Sequence, residues 1–339
     1  MNFSTKKVNV FKVFRVAAST CVAILIASFM GLLYSSSAGI IAFLSTQDTK
    51  KETLRDIRIR CFSYILAVAL SFVIFHVCGY NTPAFGLFMF LMVWLSYYLD
   101  WASVLSSSAV VSTHFLFEGT HSINLIINEL LLLFIGVGTA MVMNLFIANN
   151  TKTIKEDMLK IENEFSRTFK EMSHYIMVLD NSKYDYERYE ELKNHLEESS
   201  QRAIKNMNNE FYSDSNYYIH YMDARKEQLD AILRIIDKMH MLTHVPFNAL
   251  QLSDFMEKIS NNIHCKSQTI LLEEDYRLLS EEFDQFPIPQ NRNEFENLAN
   301  THDILLELEY YLNIKRNFIT SLSDKQIERY WNDRSQNVI

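Results

Sequence analysis

Residues 61–100 read CFSYILAVALSFVIFHVCGYNTPAFGLFMFLMVWLSYYLD. From Cys61 to Thr151 the chain holds no Lys or Arg, and Leu, Phe, Val and Ile dominate. Ninety-one consecutive residues without a cation do not make a hydrated surface. They read as a chain folded back and forth through a lipid bilayer. Cations return in clusters on both sides: Lys6, Lys7, Lys12 and Arg15, then Lys50, Lys51, Arg55, Arg58 and Arg60, and finally Lys152 and Lys155. By the bias of basic residues toward the inner face, these clusters mark the cytoplasmic side.

The two halves differ in kind. Residues 1–150 carry nine Lys+Arg against six Asp+Glu, whereas residues 151–339 carry 23 against 34, which leaves the whole chain at −8. All seven glycines lie in the first half. Glycine permits close backbone approach between membrane helices, and a long Gly-free segment reads as extended helix. The reading is therefore a transmembrane transport domain over 1–150 and a cytoplasmic helical-bundle domain over 151–339. Cys21, Cys61, Cys78 and Cys265 are scattered without a CxxC spacing, so neither a disulfide framework nor a metal site is expected. The amino terminus, with Lys6, Lys7, an apolar run from Val16 and then Ser35-Ser36-Ser37-Ala38, has the outline of a signal peptide. The apolar segments that follow need a membrane in any case, which favours a first span.

A spanning helix needs about 20 apolar residues. Phe11–Leu33 and Ile57–Tyr80 qualify, and Ser35–Ser45 is apolar but short. The apolar run Ala84–Phe117 would be about 50 Å long as one helix, too long for a core of about 30 Å. Asp100-Trp101 divides it into Phe85–Leu99 and Ala102–Phe117, with Asp100 as the expected N-cap of the second. Ser122–Ala148 is the last. The result is all-α: a six-helix transmembrane bundle followed by a cytoplasmic antiparallel helical bundle, multi-pass in the cell membrane with both termini cytoplasmic. The inner loop is expected at 46–60, and the sixth crossing is expected to run straight on into the next helix, with Asn149-Asn150-Thr151 as a weak joint.

Several polar residues fall inside these spans. Ser103, Ser107, His114 and Glu118 share one helix face at 100° per residue, Glu129 interrupts a run of leucines and isoleucines, and Asn144 ends the small-residue row Gly136–Ala140. Buried ionisable groups in a membrane usually face a cavity or partner, so the set reads as an intramembrane polar path. The alternative is packing between helices, with Glu118 and Glu129 near the headgroups. The short crossings and the Gly136–Ala140 row also suggest a homo-oligomer, most simply a dimer.

The stretch Ser35–Arg60 is the most specific. A half-length helix ends at a polar mouth where Gln47, Asp48 and Thr49 offer hydrogen bonds and Lys51, Arg55 and Arg58 attract anions. These six are the expected substrate-binding residues. The competing reading makes the cations lipid-phosphate anchors.

The segment Ala38-Gly39-Ile40-Ile41-Ala42-Phe43-Leu44-Ser45-Thr46-Gln47-Asp48-Thr49-Lys50-Lys51-Glu52-Thr53 resembles the signature of the bacterial aromatic acid exporter family. That family is related to fusaric-acid-resistance type transporters and, more distantly, to plant aluminium-activated malate transporters. The resemblance covers essentially the whole chain. It implies an efflux protein for aromatic carboxylates or similar organic anions, with proton coupling.

From Ile154 the apolar positions step by three and four through Met158, Ile161, Phe165, Phe169, Met172, Ile176 and Leu179. Further helices are expected at Tyr184–Asn208, Asn216–Met241, Leu250–Asn262, Lys266–Phe283, Arg292–Ser321 and Ser323–Trp331. Tyr184, Tyr186, Tyr189, Tyr212, Tyr217, Tyr218 and Tyr221 could stack on an aromatic ligand, but read better as core. No nucleotide, dinucleotide or zincin motif occurs, no cofactor is called for, and His240 with His244 lacks a third metal ligand. The acidity of this half argues against nucleic acid. Two functions compete: an organic-anion exporter, favoured by the polar spans, and a membrane-anchored scaffold whose helical bundle binds a partner. An enzyme is not expected.

Overall fold

The computed structural model describes residues 10–147, 150–179, 186–210, 216–263, 269–283, 285 and 288–330. Every regular element among them is helical. The chain divides into two compact units, residues 1–149 with 208–211, and residues 150–207 with 212–339.

The first unit contains α1 (Val10–Phe29), α2 (Ser35–Ser45), α3 (Lys50–Cys78), α4 (Thr82–Tyr98), α5 (Leu105–Glu118) and α6 (Ile123–Leu145). Of these, α1, α3 and α6 are long and apolar enough to cross a bilayer, while α2 and α4 are apolar but shorter. Helix α2 packs between α1 and α6, and α3 packs against α4, α5 and α6. Phe29, Phe90, Trp94, Phe117 and many other large apolar side chains lie exposed on the outside of this unit. A water-facing protein does not tolerate that much apolar surface; lipid does.

Close approach sets the α1–α2–α6 group. A Cβ on Gly136 would lie 2.6 Å from Ile41 Cγ2 and 2.8 Å from the Ala38 carbonyl oxygen. Gly136 is thus the point where α6 meets α2 of the same chain most closely.

Three local expectations are corrected. The loop expected at 46–60 is only a short corner, because α3 starts at Lys50. Thr49 caps it, its Oγ1 accepting from the Glu52 N–H at 3.3 Å. A Thr-x-x-Glu start nucleates a helix whatever the polarity of its first turns, so the cations ride on helix. Asp100 does not open α5. It closes α4 in the left-handed conformation (φ 57°), with Asp100 N–H on the Tyr97 carbonyl at 3.4 Å and Trp101 N–H on the Ser96 carbonyl at 2.7 Å. That is the double bond of a Schellman ending. A 3-10 turn at Ala102–Val104 then leads into α5. Finally, α6 does not run on as one helix. The Phe146 and Ile147 N–H groups bond back three residues, to Met143 and Asn144, and end it.

The second unit contains α7 (Thr151–Val178), α8 (Tyr186–Asn209), α9 (Asn216–His240), α10 (Ala249–Asn261), α11 (Thr269–Phe283), α12 (Arg292–Ser321) and α13 (Asp324–Tyr330). The stripe from Ile154 to Ile176 is buried along one face of α7 and joins residues of α9, α10 and α12 in a single core. Tyr217, Tyr218 and Tyr221 are buried in that core and Tyr186 is exposed; Tyr184 and Tyr212 lie outside the described residues. An ion pair sits inside as well. Arg225 Nη2 donates to Glu162 Oε1 at 3.0 Å, the Tyr221 hydroxyl donates to the same oxygen at 2.6 Å, and Arg225 Nη1 donates to Gln228 Oε1 at 2.8 Å.

Candidate functional site

Two polar clusters lie within the first unit, at opposite ends of its helices. One surrounds Tyr34, at the corner between α1 and α2. Asn128 of α6 clamps that corner: Leu33 N–H donates to Asn128 Oδ1 at 2.9 Å, and Asn128 Nδ2 donates to the Leu33 carbonyl at 3.1 Å. Asn128 also donates to Glu129 Oε1 at 3.2 Å. Glu129 Oε2 meets His114 Nδ1 at 2.8 Å, and His114 Nε2 lies 3.3 Å from Ser37 Oγ. The Tyr34 ring stacks on His114 at 4.0 Å, and its hydroxyl donates to Glu118 Oε1 at 2.8 Å. A carboxylate, an imidazole and a serine hydroxyl therefore form one continuous hydrogen-bonded chain.

The other cluster surrounds Gln47, at the corner between α2 and α3. The Gln47 carbonyl receives Arg15 Nη2 at 3.0 Å and Asn144 Nδ2 at 3.4 Å, and Asn144 also donates to Thr53. Arg60 Nη2 reaches the Leu44 carbonyl at 3.4 Å and Asp56 Oδ2 at 2.7 Å, while Ser103 donates to Asp56 Oδ1 at 3.2 Å. Arg60 is 1 % exposed and Arg15 6 %. Cations are well placed at a helix C-terminus, here that of α2. They are not fully satisfied there. Arg15 Nε, Arg60 Nε and Nη1, Ser45 Oγ and Asn144 Oδ1 are buried without a hydrogen-bond partner. Buried polar atoms usually have partners, so five orphans around one helix end set this place apart.

The sequence-predicted mouth residues divide. Thr49 is buried as the α3 cap, and Gln47 receives both donors through its backbone. Asp48 pairs with Lys12 at 2.5 Å, half exposed. Lys51, Arg55 and Arg58 are exposed on α3; Arg55 pairs with Asp100 at 3.0 Å, and Arg58 Nε turns to the Leu54 carbonyl at 3.4 Å. Of the expected polar path, His114 and Glu129 meet, with Glu118 adjacent through Tyr34. Asn144 and Ser103 belong to the Gln47 end. Ser107 is spent on its own backbone at Val104, 2.8 Å away. The midpoint is held by other serines, with Ser63 Oγ of α3 2.7 Å from Ser108 Oγ of α5.

Sequence reasoning passed over Arg15, Asp56, Arg60, Asn128, Tyr34 and Ser37 as site residues. The Asp56–Arg60 spacing of i, i+4 was the available signal.

An all-helical chain with lipid-facing apolar surface and buried ionisable clusters is a membrane protein. Residues 9–147 match the family model described as "aromatic acid exporter family member 1", and residues 151–316 match the "putative aromatic acid exporter C-terminal domain". The chain belongs to the aromatic acid exporter family and is a membrane transporter. It is 26 % identical over 310 residues to the uncharacterized protein YqjA of Bacillus subtilis (strain 168), covering 91 % of this chain and 95 % of that one. A solved structure titled "putative membrane protein from Clostridium difficile 630" is similar at 27 % identity and a TM-score of 0.43, covering 49 % of this chain and 99 % of that one.

Proposed function

We propose that the chain exports small organic anions, aromatic carboxylates among them, through the α1–α6 bundle, with both termini in the cytoplasm and with proton coupling at His114 and Glu129. The observation that carries this reading is the unequal burial of charge at the Gln47 end. Arg60 is buried against Asp56, Arg15 is buried with only the half-exposed, Lys12-paired Asp48 acting on its charge, and both keep orphaned donors. A net buried cation is costly in a membrane, and a substrate carboxylate would both neutralise it and fill those donors. The exposed Arg55 and Arg58 then act earlier, attracting anions to the mouth without binding them closely.

Flux of a labelled aromatic carboxylate into inside-out proteoliposomes tests the reading. Arg60→Gln should abolish saturable flux in protein that still inserts. Arg55→Gln with Arg58→Gln should cost at most about thirtyfold in apparent affinity, at about 1 kcal/mol per wet contact, and the loss should shrink at high salt. Normal flux in Arg60→Gln would overturn the assignment.

A further inference from the structure

The second unit holds a cavity of about 510 Å³ lined by α7, α8 and α9. The size is that of a small-molecule pocket, on the order of 300–1,000 Å³. Its floor is apolar: Met172, Tyr189, Ile236 and Met239 are buried, and Tyr175 stands beside them half-buried. Methionine walls adapt to varied shapes, and tyrosine faces suit flat rings.

The rim is cationic. Arg167 and Lys170 stand exposed on successive turns of α7. The one carboxylate among the described lining residues, Glu171, is already engaged: Arg188 donates to it from Nη1 at 2.8 Å and from Nη2 at 2.6 Å, and Arg167 Nε donates at 3.0 Å. Burial pushes the Glu171 carboxyl up, but the Arg188 and Arg167 contacts outweigh it and hold the group below its ordinary range. Glu171 is therefore a charged, bound anion whose field is cancelled locally, and Lys170 remains at the mouth over an apolar, aromatic-walled floor.

We propose that this cavity binds a small carboxylate with an aromatic or other apolar body, the ring on the Met172–Tyr189–Met239 floor and the carboxylate toward Lys170. The second unit is on this view a ligand-sensing module. The proposal does not rest on the transport reading, since a solute can be sensed without being carried.

The experiment uses the full chain in nanodiscs, labelled at methionine methyls, titrated with salicylate and with its neutral counterpart salicylamide. Met172 and Met239 report on the cavity, and Met92 and Met141 report separately on the membrane unit. Saturable shifts of Met172 and Met239 with salicylate and not with salicylamide are expected. Lys170→Glu, an exposed change that the fold tolerates, should weaken this binding about tenfold, since one attractive contact becomes repulsive. Lys193→Glu, exposed on α8 and outside the lining, should leave it unchanged. Unmoved Met172 and Met239 methyls in folded protein would overturn the proposal. So would equal shifts with the amide, or equal weakening by the two charge reversals. Flux does not enter this test, so failure here and failure of the transport reading are told apart.

Discussion

His114 Nδ1 lies 2.8 Å from Glu129 Oε2, joining the C-terminal part of α5 to the first turns of α6 where both side chains are buried. Around the pair stand Tyr34, Ser37, Glu118 and Asn128, and Tyr64 lies near enough for its hydroxyl to donate to the Ile126 carbonyl at 2.8 Å. Through Asn128, which donates to Glu129, the same site clamps the α1–α2 corner.

Glu129→Gln is expected to separate coupling from binding. In vesicles with an imposed pH gradient, concentrative transport of the anion should fall to background while exchange of labelled for unlabelled anion persists. If both fall together with normal insertion, the pair has a packing role only.

Asp56 and Arg60 should behave as a coupled pair. Asp56→Asn leaves the buried Arg60 guanidinium without its carboxylate, at a cost of about 3–5 kcal/mol. The double variant Asp56→Asn with Arg60→Gln should regain most of that stability, read as the thermal midpoint in detergent. It should not regain flux.

Two glycines on α6, two residues apart, should respond oppositely. Gly136→Ala drives a methyl into Ile41 and the Ala38 carbonyl and should destabilise by about 1–3 kcal/mol. A Cβ at Gly138 meets nothing within 4 Å, so Gly138→Ala should be neutral or stabilise by up to about 1 kcal/mol. Thermal midpoints of the two variants decide it.

In the second unit, burial works against the charge of Arg225, yet Tyr221 and Glu162 raise its pKa above the ordinary value. Glu162→Gln removes the counter-charge and should cost about 3–5 kcal/mol, whereas Glu162→Leu with Arg225→Met should recover much of it. Methyl spectra of Met172 and Met222, both buried in that core, would report the loss of packing.

The Glu171 carboxyl sets an acid limb. Its pKa is lowered in the folded chain, so its stabilisation is present above the ordinary carboxylate value of 4.5 and is lost as pH falls through the lower folded value. Wild-type thermal stability should decline more steeply below about pH 4.5 than that of Glu171→Gln. Parallel declines would show that Glu171 contributes nothing.

The helical spans were legible wherever composition is one-sided. The α12 bounds coincide with the predicted Arg292–Ser321, because a Pro-containing segment precedes it and Asn291 caps it, accepting from the Glu294 N–H at 2.9 Å. Boundaries went astray where polarity and helix formation disagree. Lys50 to Arg60 is polar enough for a loop, but Thr49 starts a helix there. Asp100 has the chemistry of an N-cap, but the twist of the preceding turn makes it the left-handed closing residue of α4.

The all-α class, the contrast between the oily and the acidic half, and the cation cluster at 50–60 follow from local composition and period. Which of those cations are buried depends on how the helices pack. Arg55, Arg58 and Arg60 are equivalent in a one-dimensional reading, yet their angular positions on α3 send the first two outward and turn Arg60 onto the end of α2. The same holds for His114 and Glu129, whose contact depends on how α5 and α6 fold back on each other: side-chain proximity across helices is a property of packing, and no spacing along the chain encodes it.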